Sequence, residues 1–115
     1  MTERVTLRSE TGPEGSRYLH ARRDPDGSVV LEGHDLGAGV EAFWGEGHSE
    51  YEWARTIRSS ESPKVRDALG GDAVSDVLEL IARWCAEHTP EQLEPTLEQH
   101  GVEMETWNWV GSDWD

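Results

Sequence analysis

One segment of the sequence constrains the fold more than any other, because it alone carries a long continuous apolar stripe at helical spacing. This segment is AVSDVLELIARWCAEH, residues 73–88. Its stripe consists of Val74, Val77, Leu78, Ile81, Trp84 and Cys85. Asp72 is placed to cap the N-terminus, and Glu79 and Arg83 are spaced for an ion pair on the opposite side. We expect this main helix to pack across one face of a sheet.

Three segments in the first third of the chain have the alternation of strands. They are RVTLRSE, SRYLHARR and GSVVLEGHDLG. In the first, Val5 and Leu7 alternate with Arg4, Thr6 and Arg8. The turn sequences TGPEG and DPDG separate the segments, and in the second turn Pro25 presets the first position while Gly27 accepts a positive φ. The pattern predicts an antiparallel meander.

Two further strands are predicted by alternation. EYEWARTIR, residues 50–58, places Tyr51, Trp53 and Ile57 on one face. The closing strand VEMETWNWV, residues 102–110, places on a single face Glu103, Glu105, Trp107 and Trp109. We expect its tryptophans to run under the domain, and its glutamates to emerge at an edge. Trp53, Trp84 and one of Trp107 and Trp109 are predicted to be core residues.

Two shorter helices complete the expected fold. The first begins at Ser62-Pro63 and ends at Gly70-Gly71, and the second runs from about Pro95 to His100 after a turn at residues 90–94. The chain of 115 residues fits one domain, 1–115. The expected fold is therefore α+β, an antiparallel sheet of about five strands with the helix at about 73–88 and the two shorter helices on one face.

The distribution of charge restricts the class of partner. The formal net charge is −14, and the stretches from Asp24 to Ala54 and from Trp84 to Asp115 each contain eight acidic residues and no lysine or arginine. Direct binding to nucleic acid and to anionic membranes is disfavoured, since both require clustered cations. A basic protein partner or a cation remains open, as does acidity that only keeps the chain soluble.

Nothing in the sequence indicates a membrane span or a secretory signal, so we expect a cytoplasmic protein. The single cysteine, Cys85, lies in the apolar stripe and agrees with a reducing compartment. No nucleophile elbow and no phosphate-binding loop is present. We therefore predict no catalytic residues, no cofactor and no enzymatic activity; the oligomeric state is left open.

A metal site is an alternative reading of the segment from residue 34 to residue 50, the longest predicted loop. Glu32, His34 and Asp35 lie close together where it starts, and His48 and Glu50 lie where it ends, so the loop could bring His34 and His48 onto one ion. The spacings of known zinc motifs are absent. The alternative function is thus a small-molecule or metal-binding module that uses His34, Asp35 and His48.

The combination of acidic and aromatic residues gives the leading functional hypothesis. Tryptophan is a frequent anchor of protein interfaces, and an acidic rim accelerates encounter with a basic partner. Trp44 and Trp114 are the tryptophans least explained by strand or helix periodicity. The predicted partner-binding residues are Glu41, Trp44, Glu46, Glu103, Glu105, Trp107 and Trp114.

Several landmarks resemble a group of small uncharacterised acidic proteins, chiefly from actinobacteria. These are Gly33-His34-Asp35-Leu36-Gly37, Tyr51-Glu52-Trp53, Leu69-Gly70-Gly71 before a helix, and His100-Gly101-Val102 before a strand that contains tryptophan. The likeness begins at about residue 28, and the group carries no activity to transfer. In size, acidity and order of elements the chain is also similar to immunity proteins of bacterial toxin systems, which neutralise a basic toxin.

A DNA-mimic protein is the third functional hypothesis.

Overall fold

The computed structural model describes residues 4–13, 15–37 and 50–111. These residues form five strands, β1 (Arg4–Gly12), β2 (Gly15–Arg23), β3 (Val29–Leu36), β4 (Glu50–Ile57) and β5 (Glu105–Gly111). They also form three α-helices, α1 (Ser62–Leu69), α2 (Val77–Glu87) and α3 (Leu93–Gln99). The strands pair antiparallel in chain order, β1-β2-β3-β4-β5. The predicted α+β fold is confirmed.

The turn between β2 and β3 forms as its sequence predicts. The N–H of Gly27 donates a hydrogen bond of 2.9 Å to the carbonyl of Asp24, and Gly27 has a φ of +89°. The carboxylate of Asp26 accepts a 2.9 Å hydrogen bond from the N–H of Ser28. Through these bonds the backbone N–H groups of Gly27 and Ser28 find their acceptors within the turn, and strand pairing starts immediately after it.

The helices pack on one side of the sheet, here called the covered face. Ala21, Leu31 and Ile57 contribute this face's central apolar side chains, and each is at most 2% exposed. The helices pack against these three residues with their own buried apolar side chains, Val65, Leu78, Ile81, Leu93 and Leu97. Trp53 and Trp84 are partly buried and pack against the same cluster, which agrees with their prediction as core residues.

The main helix begins at Val77, four residues later than the sequence predicts. Asp76, not Asp72, is its N-cap, because the Asp76 carboxylate accepts a 3.0 Å hydrogen bond from the N–H of Glu79. Asp72 instead accepts from the N–H of Val74 in the preceding turn. Val74 is 89% exposed, so its predicted place in the apolar stripe is wrong. Nor do Glu79 and Arg83, both exposed, form the expected ion pair within 4 Å.

The boundaries of the last helix and the last strand also differ from those predicted. Helix α3 begins at Leu93, and Pro95 lies in its first turn, where the missing N–H removes no intrahelical hydrogen bond. After Gly101, with a φ of +77°, the N–H of Val102 bonds to the carbonyl of Leu97. Val102 is therefore part of the turn that closes the helix, and its side chain is buried in the core. Strand β5 starts only at Glu105.

A β-bulge in β1 changes the face of Arg8. The pairing with β2 shifts between Thr6 and Arg8, which leaves Leu7 as the extra residue and places Arg8 opposite Leu19 on the covered face. Simple alternation had predicted Arg8 on the other face. Its side chain is 9% exposed and forms ion pairs with Glu10, at 3.3 Å, and with Glu91.

One contact links α1 to the chain before β5 and makes stability depend on pH. The N–H of Glu103 donates a 2.6 Å hydrogen bond to Glu61, which holds the pKa of the Glu61 carboxyl below its usual value, with a further lowering from Lys64. Because the folded pKa is depressed, this stabilisation is fully present above the unfolded pKa of about 4.3 and is lost as pH falls through the folded pKa.

We expect Glu61→Gln to reduce the difference in unfolding free energy between pH 7 and pH 3. Urea unfolding of the variant and the parent chain at both pH values measures it. Glu98→Gln is the matched control, because the Glu98 side chain is exposed and forms no hydrogen bond or ion pair with any described residue. An unchanged pH dependence in Glu61→Gln would show that the contact with Glu103 contributes nothing in solution.

Candidate functional site

The second side of the sheet, here called the open face, has no described helix packed on it. Cross-strand pairing arranges its side chains in rows. One row runs from β2 to β5 through His20, Glu32, Ala54 and Trp107, and the next contains Tyr18, His34 and Glu52. Of its described apolar residues Val30 is buried, at 4% exposed, whereas Trp107 is not. The open face is therefore a polar surface with an aromatic side chain at its β5 edge.

Among the described side chains of this face, Trp107 is the large aromatic one that is exposed to solvent. It is 52% exposed, so the expectation that it runs under the domain is wrong. The reason lies in the pairing: Trp107 is opposite Ala54, and the neighbours of Ala54 in β4, Trp53 and Arg55, point to the covered face. The small Ala54 side chain leaves one side of the indole open. An indole exposed in this way is available as an interface anchor.

Three carboxylates lie on the same face as this tryptophan or next to its strand. Glu105, on the same face of β5, is 57% exposed and forms an ion pair with Arg58. Glu32 lies beyond Ala54 and accepts a 2.9 Å hydrogen bond from Arg22 Nε. Glu103 is exposed two residues before the start of β5. Of the predicted partner-binding residues, Glu103, Glu105 and Trp107 therefore lie together on or beside the open face.

A second cluster on the open face joins β3 to β4. His34 Nε2 lies 2.8 Å from Glu50 Oε1 and 3.3 Å from Glu52 Oε1. His34 is directly opposite Glu52, and Glu50, two residues earlier in β4, has its side chain on the same face. One ligand atom from each residue lies within 4.8 Å of the others. All three side chains are partly exposed, at 30–39%.

The predicted metal set of His34, Asp35 and His48 needs correction, because His34 and Asp35 are consecutive residues of β3 and point to opposite faces. Asp35 lies on the covered-face side, 3.7 Å from Arg17. The segment predicted as a loop from residue 34 begins instead as strand, since β3 continues to Leu36. Asp35 cannot therefore share an ion with His34.

The other candidate residues lie outside the part of the chain that the structure describes. They are Glu41, Trp44, Glu46, His48 and Trp114. The side chain of Trp109 is likewise outside the description, although its strand position, opposite Glu52, is within it. The predictions for these residues remain predictions.

Cys85 belongs to the core. It is 6% exposed, and burial raises the pKa of its thiol to about 11, an effect that the nearby Arg8 opposes. The thiol is therefore protonated at neutral pH and is a poor nucleophile. Its predicted place in the apolar stripe is confirmed.

Sequence reasoning missed Glu52 as a member of the His34 cluster. The signal was present in the spacing of Glu50 and Glu52, which places two carboxylates on one face of a strand. Locating His34 opposite them required the register between β3 and β4, which alternation within each strand does not provide.

Comparisons with protein-family models, with curated proteins and with solved structures give no significant match to this chain. Among the described residues, no helix has the length and apolar character required to cross a bilayer.

Proposed function

We propose that this chain is a non-enzymatic binding protein, of the immunity or inhibitor type, that docks a basic partner protein through the open face. The observation that carries the proposal is the 52% exposure of Trp107 on a sheet face flanked by Glu103 and Glu105. Interface hot spots are enriched in tryptophan, and they lie within a surrounding rim of polar contacts.

The electrostatics favour a basic partner. The net charge of −14 attracts cationic proteins over the Debye length, about 10 Å at 0.1 M salt and longer at low salt. Such attraction accelerates encounter, while the aromatic contact supplies affinity at short range. Glu41, Trp44, Glu46 and Trp114 extend the proposed surface as predictions from the sequence.

The described strands favour a protein partner over DNA mimicry. A mimic of DNA presents carboxylates in an uninterrupted series, like phosphates. On the open face arginines interrupt the series: Arg22 contacts Asp24 and Glu32, and Arg4 contacts His20. A mixed surface of this kind suits a protein interface better.

Two double charge reversals test the proposal at equal net charge. Glu103→Lys with Glu105→Lys changes the charge beside Trp107, and Glu87→Lys with Glu98→Lys makes the same change at exposed helical positions. With lysozyme as the basic probe at about 20 mM salt, we expect the first pair to weaken binding at least about tenfold more than the second. Trp107→Ala is expected to weaken it about fivefold or more. Equal losses in the two double variants would contradict the proposal.

A further inference from the structure

The carboxylates of the described strands differ in their partners. Outside the His34 cluster, each lies against an arginine: Glu10 against Arg8, Glu32 against Arg22, Asp35 against Arg17 and Glu105 against Arg58. Glu50 and Glu52 have no lysine or arginine of the described chain within 4 Å and meet only His34. These two carboxylates therefore share one histidine and have no lysine or arginine partner among the described residues.

We propose that His34, Glu50 and Glu52 form a binding site for a first-row divalent transition metal ion. The donors are one imidazole nitrogen and two carboxylate oxygens, a set that zinc and its neighbours accept. A divalent charge balances the two carboxylates. The site lies apart from the Glu103 and Glu105 pair, and it stands whether or not the open face docks a protein.

The geometry needs little adjustment to hold an ion. Bonds of about 2.0–2.2 Å to a tetrahedral ion place neighbouring ligand atoms about 3.3 Å apart. His34 Nε2 is already 2.8 Å from Glu50 Oε1 and 3.3 Å from Glu52 Oε1, and small side-chain rotations open the first separation. The strand backbones fix the three Cβ positions. Partial exposure leaves the remaining coordination positions to water.

The competing explanation is that His34 bridges the two glutamates by hydrogen bonds and no metal binds. Metal titration separates the two explanations, because a histidine that only bridges the glutamates predicts no Zn²⁺ binding at this site. General attraction of cations to an acidic protein is a further alternative, and it predicts that Ca²⁺ and Zn²⁺ behave alike. Ligation through an imidazole predicts preference for Zn²⁺ over Ca²⁺.

Calorimetric titration of the full chain with Zn²⁺ at pH 7 and about 0.15 M salt tests the site. We expect one Zn²⁺ per chain at this site and Ca²⁺ binding at least about tenfold weaker. His34→Gln and Glu52→Gln should each weaken Zn²⁺ binding at least about tenfold, whereas His100→Gln, at an exposed helix end, should leave it unchanged. Circular dichroism identifies any variant that fails to fold, and Glu50→Gln then replaces it.

Three results would overturn the site: no Zn²⁺ binding up to millimolar concentration, equal affinity for Zn²⁺ and Ca²⁺, or unchanged Zn²⁺ affinity in the folded His34→Gln and Glu52→Gln variants. Co²⁺ gives an independent readout, since its visible absorption reports imidazole and carboxylate ligation directly. The charge reversals at Glu103 and Glu105 should leave the Co²⁺ spectrum unchanged. Failure of the metal site is thus distinguishable from failure of partner docking.

Discussion

Ile81→Ala is expected to lower the free energy of unfolding by about 3 kcal/mol, out of a total of about 5–15 kcal/mol for a domain of this size. Ile81 is fully buried in α2 and belongs to the cluster that joins the helices to the sheet. Truncation removes apolar contacts and leaves a cavity that the neighbouring side chains fill only in part. Urea denaturation, with an unchanged dependence on denaturant, measures the loss.

Val74→Ala is the matched control for Ile81→Ala. Periodicity in the sequence puts both residues on the same apolar stripe, but the structure leaves Val74 89% exposed in the turn before α2. We expect its truncation to change stability by no more than about 0.5 kcal/mol. Comparable losses in the two variants would mean that the helix extends to residue 73, as the sequence alone predicts.

Gly33→Ala is expected to destabilise the protein by about 1–3 kcal/mol. Gly33 lies opposite Trp53 in the sheet, and a Cβ at Gly33 would overlap the Trp53 indole. The indole packs over the glycine on the covered face, with the Arg55 guanidinium 5.1 Å from its ring centroid. An added methyl group must displace this stack. Urea denaturation gives the loss of stability, and near-ultraviolet circular dichroism reports the movement of the ring.

Gly12→Ala controls for the substitution itself. Gly12 is also a strand residue, and a Cβ there would have no heavy atom within 4 Å. Both variants restrict the unfolded chain in the same way, so the difference between them isolates the overlap with Trp53. We expect Gly12→Ala to remain within about 0.5 kcal/mol of the parent chain. Equal stability of the two variants would place the indole elsewhere in solution.

The elements that the sequence predicted correctly depend on local physics. Alternation and turn residues identify the strands, because a half-buried strand has a period of two and Gly27 permits the turn before β3. The apolar stripe identifies α2, although its start was misplaced because Asp72 and Asp76 are both suitable N-caps. Asp76 is the N-cap in the folded chain, where its carboxylate also forms an ion pair with Arg23 of β2. The sequence around the helix start contains no sign of that contact.

The features that the sequence did not predict depend on pairing between strands. The bulge at Leu7 moves Arg8 to the covered face through its register with β2. In β5, hydrophobicity favours burial of the face that carries Trp107, since the alternate positions include Thr106 and Asn108. Pairing with Ala54 nevertheless directs Trp107 to the open face. The partnership of His34 with Glu52 likewise requires a register that no single segment contains.

The open face, around Trp107, is the surface on which we expect a basic protein to dock. Amide chemical-shift mapping of the labelled chain during titration with unlabelled lysozyme, at about 20 mM salt, tests it most directly. We expect the shifts to concentrate at Ala54, Glu105 and Trp107, and to decrease as salt is added. Shifts that concentrate instead at Glu87 and Glu98 on the helices, or that spread evenly over the acidic surface, would contradict it.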